Sequence, residues 1–180
     1  IPAIGILIFA WTLKGMGDAL EIGTFVENAV GASASASLLL PAILFLVAIF
    51  LAFSTGTSWG TFAILVPIAT AMFPGTDKLE MMIISVSAVL AGAVCGDHVS
   101  PISDTTVMSS AGAQSNHINH VTTQMQYAAV VAVVCFIGYM IAGVSQSWWI
   151  ALGSSLVILL VVLTVMKRMF SSREKKSVAA

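Results

Sequence analysis

The sequence predicts an all-α integral membrane protein whose apolar helices are cut at two polar points. Three observations carry this. Of the 180 residues, 58% are hydrophobic and 8% are charged, with a mean hydropathy of +1.02. Soluble domains carry about 25% charged residues, so most of this surface must face lipid. Second, Tyr127 to Val144 and Trp148 to Met166 are unbroken apolar runs near the ~20 residues a membrane helix needs. Third, Ser54 to Gly60 and Gly96 to Asp104 are rich in hydroxyls and glycine, yet they interrupt other apolar stretches. A net charge of −1 gives no case for nucleic acid. Cys95 and Cys135 both lie in apolar surroundings and read as small buried residues, not a disulfide framework.

Taken in order, Ile1 to Leu13 is apolar and ends at Lys14. It is too short to span alone and reads as a partial membrane helix. The opening has no basic n-region and no small-residue cleavage site, which predicts no signal peptide and a start partway through a longer protein. Lys14 to Ser37, with Asp18, Glu21 and Glu27, reads as interfacial or extramembrane. Leu38 to Phe73 carries no charge and is split at Ser54 to Gly60. It is either two consecutive spans or a re-entrant hairpin. Pro74 to Lys78 is a turn by composition. Met81 to Gly112 reads as one broken span, helical to Cys95 and again from Thr105. Gln114 to Gln126 is a polar connection containing His117 and His120. Two histidines three apart fall short of a zinc ligand set, and the bland reading is a polar loop with caps. The last two spans, 127–144 and 148–166, are antiparallel neighbours across Ser145 to Ser147, with Tyr127, Trp148 and Trp149 at their ends, where aromatic rings favour the interface. The 167–180 tail carries five of the seven basic residues, which predicts a cytoplasmic C-terminus of a multi-pass protein in the cell inner membrane.

Backbone N–H and C=O groups in hydrocarbon must be hydrogen-bonded. Breaks at membrane depth are therefore costly unless protein or water satisfies them, and such breaks mark the sites of many secondary transporters. Unwound carbonyls and Ser/Thr hydroxyls are hard oxygen ligands suited to Na⁺-like ions. Asp97 is expected to follow the C-terminus of the first half-helix, where the dipole disfavours an anion. Such a carboxylate should hold either a proton or a cation, and intramembrane acids are functional by default. Asp104 is expected to cap the second half-helix. Thr55, Thr57, Ser58, Ser100, Ser103 and Thr105 are the candidates for lining or ligating the site, and His98 is the candidate proton relay beside Asp97. Trp59 either walls the site or packs against apolar neighbours.

At these breaks the chain resembles a known family. Gly56-Thr-Ser-Trp-Gly-Thr61 with Ala63-Ile-Leu-Val-Pro67, and Gly96-Asp-His-Val-Ser-Pro-Ile-Ser-Asp-Thr-Thr106, resemble the NhaC-type Na⁺/H⁺ antiporters of the ion-transporter superfamily. Ser109 to Gly112, Asn116-His117, His120-Val121 and Thr123-Gln124 extend the likeness to about Tyr127. The resemblance implies one inverted-repeat half of a secondary transporter, the C-terminal half, with a re-entrant helical hairpin at 38–73 and a broken transmembrane helix at 81–112. It also implies a missing N-terminal repeat, supplied by a longer chain, a partner chain or a homo-oligomer, with the longer chain favoured. The expected activity is Na⁺/H⁺ antiport by alternating access, with Na⁺ and H⁺ competing at a midplane carboxylate and Asp97 the first choice. No cofactor and no resident metal are expected, only transported Na⁺ and H⁺ and surrounding lipid. The alternatives are coupled exchange of a small organic anion or amino acid, as in malate/lactate relatives, which the absence of Lys or Arg near either break weakens, and a membrane-embedded enzyme using Asp97, Asp104 and His98.

Overall fold

A computed structural model describes residues 34–73 and 78–178, with residues 12, 16, 19 and 20 besides. The expectations for Ile1 to Leu13 and for the acidic segment after it lie outside the described residues, those four apart. The described residues form six helices and no strand: α1 Ala34–Thr55, α2 Ser58–Ala71, α3 Leu79–Val99, α4 Asp104–Gly112, α5 His117–Ser145 and α6 Trp148–Val178. Four of them, α1, α3, α5 and α6, are long and apolar enough to cross a membrane, whereas α2 is a shorter apolar helix. The protein is an all-α membrane protein.

The packing is read from small residues. A methyl group added at Gly92 would run into the Phe45 carbonyl, and one at Gly96 into the Ile49 carbonyl. One turn further on, the Ser100 hydroxyl donates to the Phe53 carbonyl at 2.7 Å. The contacts advance four residues at a time on both helices, so α1 and α3 run parallel at close range. In lipid, helices associate through such backbone approaches because burial of apolar surface gives little drive. Helix α5 runs antiparallel to α1: Gly143 lies against the Leu38 carbonyl, while Tyr139 packs on Phe45 with ring centroids 5.3 Å apart. Helix α6 returns along α5, with Gly138 against Ser155.

Gly56 ends α1. Its φ of +69° is the left-handed conformation that glycine adopts freely at a helix C-terminus, and its N–H donates to Ala52 O at 2.8 Å. Thr57 is extended and caps α2, its side chain accepting from Gly60 N. The start of α2 lies beside Asp97. Leu65, Ala69, Met72 and Phe73 then share one core with Leu40, Leu44, Ala48 and Val89. Helix α2 therefore folds back along α1 and α3, and α1–α2 is a helical hairpin.

Three boundaries differ from expectation. Helix α3 runs to Val99 rather than Cys95, so Gly96, Asp97 and His98 are helical. The second break is confined to residues 100–103, where Ser100 and Ser103 are extended. Helix α5 begins at His117, ten residues before Tyr127. Asn116 caps it by accepting from Asn119 N at 3.1 Å. Polarity marks that first segment as lying at the edge of the apolar layer, not as non-helical.

Candidate ion site

The two breaks meet. A β-carbon at Gly56 would fall against the Ile102 carbonyl, so the α1–α2 turn rests directly on the α3–α4 turn. Four helix ends converge there: the C-termini of α1 and α3 and the N-termini of α2 and α4. Asp97, 3% exposed, lies at their junction. Its Oδ1 accepts from the Ser103 hydroxyl at 2.6 Å. Its Oδ2 accepts from Thr105 at 3.1 Å and from Ser58 at 3.4 Å.

The donors explain the electrostatics and correct one expectation. Ser58 opens α2, Ser103 is the N-cap of α4, and Thr105 lies in the first turn of α4. The carboxylate belongs by backbone to the last turn of α3, but its oxygens face the half-positive N-termini of two other helices. Among the described residues its side-chain hydrogen-bond partners are hydroxyls, and the carboxyl group lies in a poorly solvated place.

The other expected site residues fall in different positions. Thr57 stays at the hairpin tip as the α2 cap. Ser100 is buried and satisfies the Phe53 carbonyl near the open end of α1. It stitches the two breaks together and does not reach the carboxylate. Thr55 is exposed and its hydroxyl bonds back to Leu51 O, one turn down its own helix. Asp104 is the first residue of α4, not its cap. It is exposed, and its Oδ1 accepts from Thr105 N at 2.8 Å. His98 points away from Asp97 and bonds Val94 O, in an apolar groove beside Gln124 and Tyr127. Trp59 is exposed and packs edge-on to Phe62. Among the described residues, no three His, Cys, Asp or Glu side chains come together as metal ligands.

Sequence reasoning missed two supports of the break. The buried Thr106 hydroxyl lies 3.2 Å from His98 O and 3.4 Å from Asp97 O, tying the start of α4 to the end of α3. His117 bonds the Pro101 carbonyl through Nε2 at 2.7 Å and Ser110 through Nδ1 at 2.9 Å. A hydroxyl in the first turn of a half-helix is a local signal that could have found Thr106. Nothing local links His117 to Pro101, sixteen residues earlier.

The three hydroxyls around Asp97 are adaptable partners. Each can donate to a bare carboxylate, accept from a protonated one, or turn a lone pair to a cation.

Residues 1–144 match a family described as the Na⁺/H⁺ antiporter family. A Haemophilus influenzae protein described only as uncharacterized is 46% identical over 166 residues. That alignment covers 92% of this chain and 32% of the relative, so the chain spans about a third of that protein's length. No solved structure matches.

Proposed function

Because this chain belongs to the Na⁺/H⁺ antiporter family, we propose that Asp97 is its exchanging carboxylate, binding Na⁺ and H⁺ in turn as access alternates between the two faces of the membrane. The observation that carries this is the buried carboxylate enclosed by Ser58, Ser103 and Thr105 at the junction of four helix ends. A carboxylate in so dry a place is stable with a proton or a cation on it and costly with neither. Carboxylate and hydroxyl oxygens are the hard donors that Na⁺ takes. Loss of the proton opens the site to Na⁺, and arrival of a proton expels it. Ser58, Ser103 and Thr105 are assigned as ligands, while Thr57 and Ser100 hold the backbone of the two turns in place. The re-entrant placement of α1–α2, a cytoplasmic tail and a second repeat completing the site all belong to this reading.

Two features disfavour the rival functions. The positive N-termini that could hold an organic carboxylate are already turned to Asp97's own. An aspartate dyad for catalysis needs two acids sharing a proton, and Asp104 is exposed with its Oδ1 on its own helix.

The test is Asp97→Asn in the intact protein in sealed vesicles. The amide keeps the shape and removes the exchangeable charge, so Na⁺-driven proton movement is expected to fall to background. Proton movement that persists with an unchanged pH dependence refutes the assignment.

A further inference from the structure

We infer that His117 is a positioning residue for the ion site, a clamp that fixes the α3–α4 turn so that Ser103 and Thr105 meet Asp97. The inference rests on the reading of Asp97 as the cation carboxylate. The turn is short and weakly held by its own backbone: Ser100 N reaches Asp97 O at 3.2 Å and Ser103 N reaches Ser100 O at 3.3 Å. Pro101 removes one donor from it. Between those two bonds the Pro101 carbonyl points outward, and the His117 imidazole takes it at 2.7 Å. A carbonyl only accepts, so Nε2 carries the hydrogen. The other ring nitrogen lies 2.9 Å from the buried Ser110 hydroxyl, in the last turn of α4.

One side chain thus joins three elements: the break, the far end of α4, and the start of α5. Its backbone is fixed as well, because Asn116 caps α5 immediately before it. Residues 101 and 110 bracket the ligands Ser103 and Thr105. Holding both ends sets where α4 begins relative to Asp97. The His117 ring bonds to Pro101 and Ser110, and not to the carboxylate or its three hydroxyl partners, so it acts through the turn.

The experiment separates the two ring nitrogens by substitution. Gln places an N–H near the Nε2 position and Asn near the Nδ1 position. The intact protein in proteoliposomes is assayed for the Na⁺ dependence of transport, with His117→Ala, His117→Asn, His117→Gln and Asp97→Asn side by side. In His117→Ala and His117→Asn the KM for Na⁺ should rise on the order of tenfold, the scale of one lost hydrogen bond to a half-buried carbonyl, with the rate at saturating Na⁺ within about twofold of the parent. His117→Gln should return KM to within about threefold. Hydrogen–deuterium exchange over residues 100–106, a reading independent of transport, should be faster in Ala and Asn and restored in Gln. Exchange unchanged in Ala overturns the clamp. Exchange that quickens without a change in KM, while Asp97→Asn is inactive, overturns the positioning role and leaves Asp97 standing. Full activity in Asp97→Asn removes the premise itself.

Discussion

The Asp97 carboxylate, buried among three hydroxyls, defines the site at the scale of single residues. Its candidacy was legible in the sequence, since an acid inside an apolar run has few bland explanations. Ser58, Ser103 and Thr105 were legible as a class, because both breaks are rich in hydroxyls. Which hydroxyl does what was not legible. Thr55 and Ser100 have the same chemistry as Ser103, yet one turns back onto Leu51 O and the other caps a neighbouring helix 47 positions away. Those choices are set by contacts between distant segments. The distinction makes a prediction. Ser103→Ala deletes the 2.6 Å bond to a buried carboxylate, so apparent Na⁺ affinity should fall by roughly tenfold or more, on the scale of a charge-assisted hydrogen bond. Thr55→Ala should stay within about twofold, because its hydroxyl serves only its own helix. Na⁺-dependence curves of the two variants check both.

At the scale of elements, the close parallel approach of α1 and α3 places the site. Gly92 and Gly96 let the Phe45 and Ile49 carbonyls lie against bare backbone, which brings the end of α1 beside the end of α3 and the hairpin turn onto the second break. The apolar runs and both breaks were legible because composition changes sharply there. The length of α3 was not: Gly96, Asp97 and His98 read as loop residues, but packing against α1 holds them helical for one more turn. The consequence is large, because it turns the Asp97 oxygens toward two helix N-termini and away from its own C-terminus. Gly92→Ala and Gly96→Ala should each lower stability by about 1–3 kcal/mol through overpacking. Gly153 has nothing within 4 Å of its added β-carbon, so Gly153→Ala should be neutral or mildly stabilising. Thermal unfolding of the purified protein in detergent reads all three, and equal losses at all three sites would contradict the packing account.

On the scale of the whole molecule, the direction of each helix follows from the contacts. Helices α1 and α3 run one way, α5 returns, and α6 runs with α3. Asp97 lies eighteen residues beyond Leu79 along α3, a rise of about 27 Å at 1.5 Å per residue, so the carboxylate lies at the C-terminal end of that helix. That places it near the α4–α5 connection, where His117 can reach the break. The proposed reading puts the basic tail on the cytoplasmic face, and on that reading the α4–α5 connection shares that face and the α5–α6 link lies opposite. Ala113→Cys should react with an impermeant maleimide only from the cytoplasmic side, and Gln146→Cys only from the other. Labelling of both from one side would contradict the arrangement.

Competition of Na⁺ and H⁺ for one carboxylate is tested most directly by counting protons as Na⁺ binds. The intact protein in weakly buffered detergent solution is titrated with Na⁺ at a series of pH values while proton release is recorded. Na⁺ should displace protons from the protein where the site is protonated, its affinity should weaken as pH falls, and Asp97→Asn should release none. Na⁺ affinity that is constant with pH, with no proton release, would contradict the account.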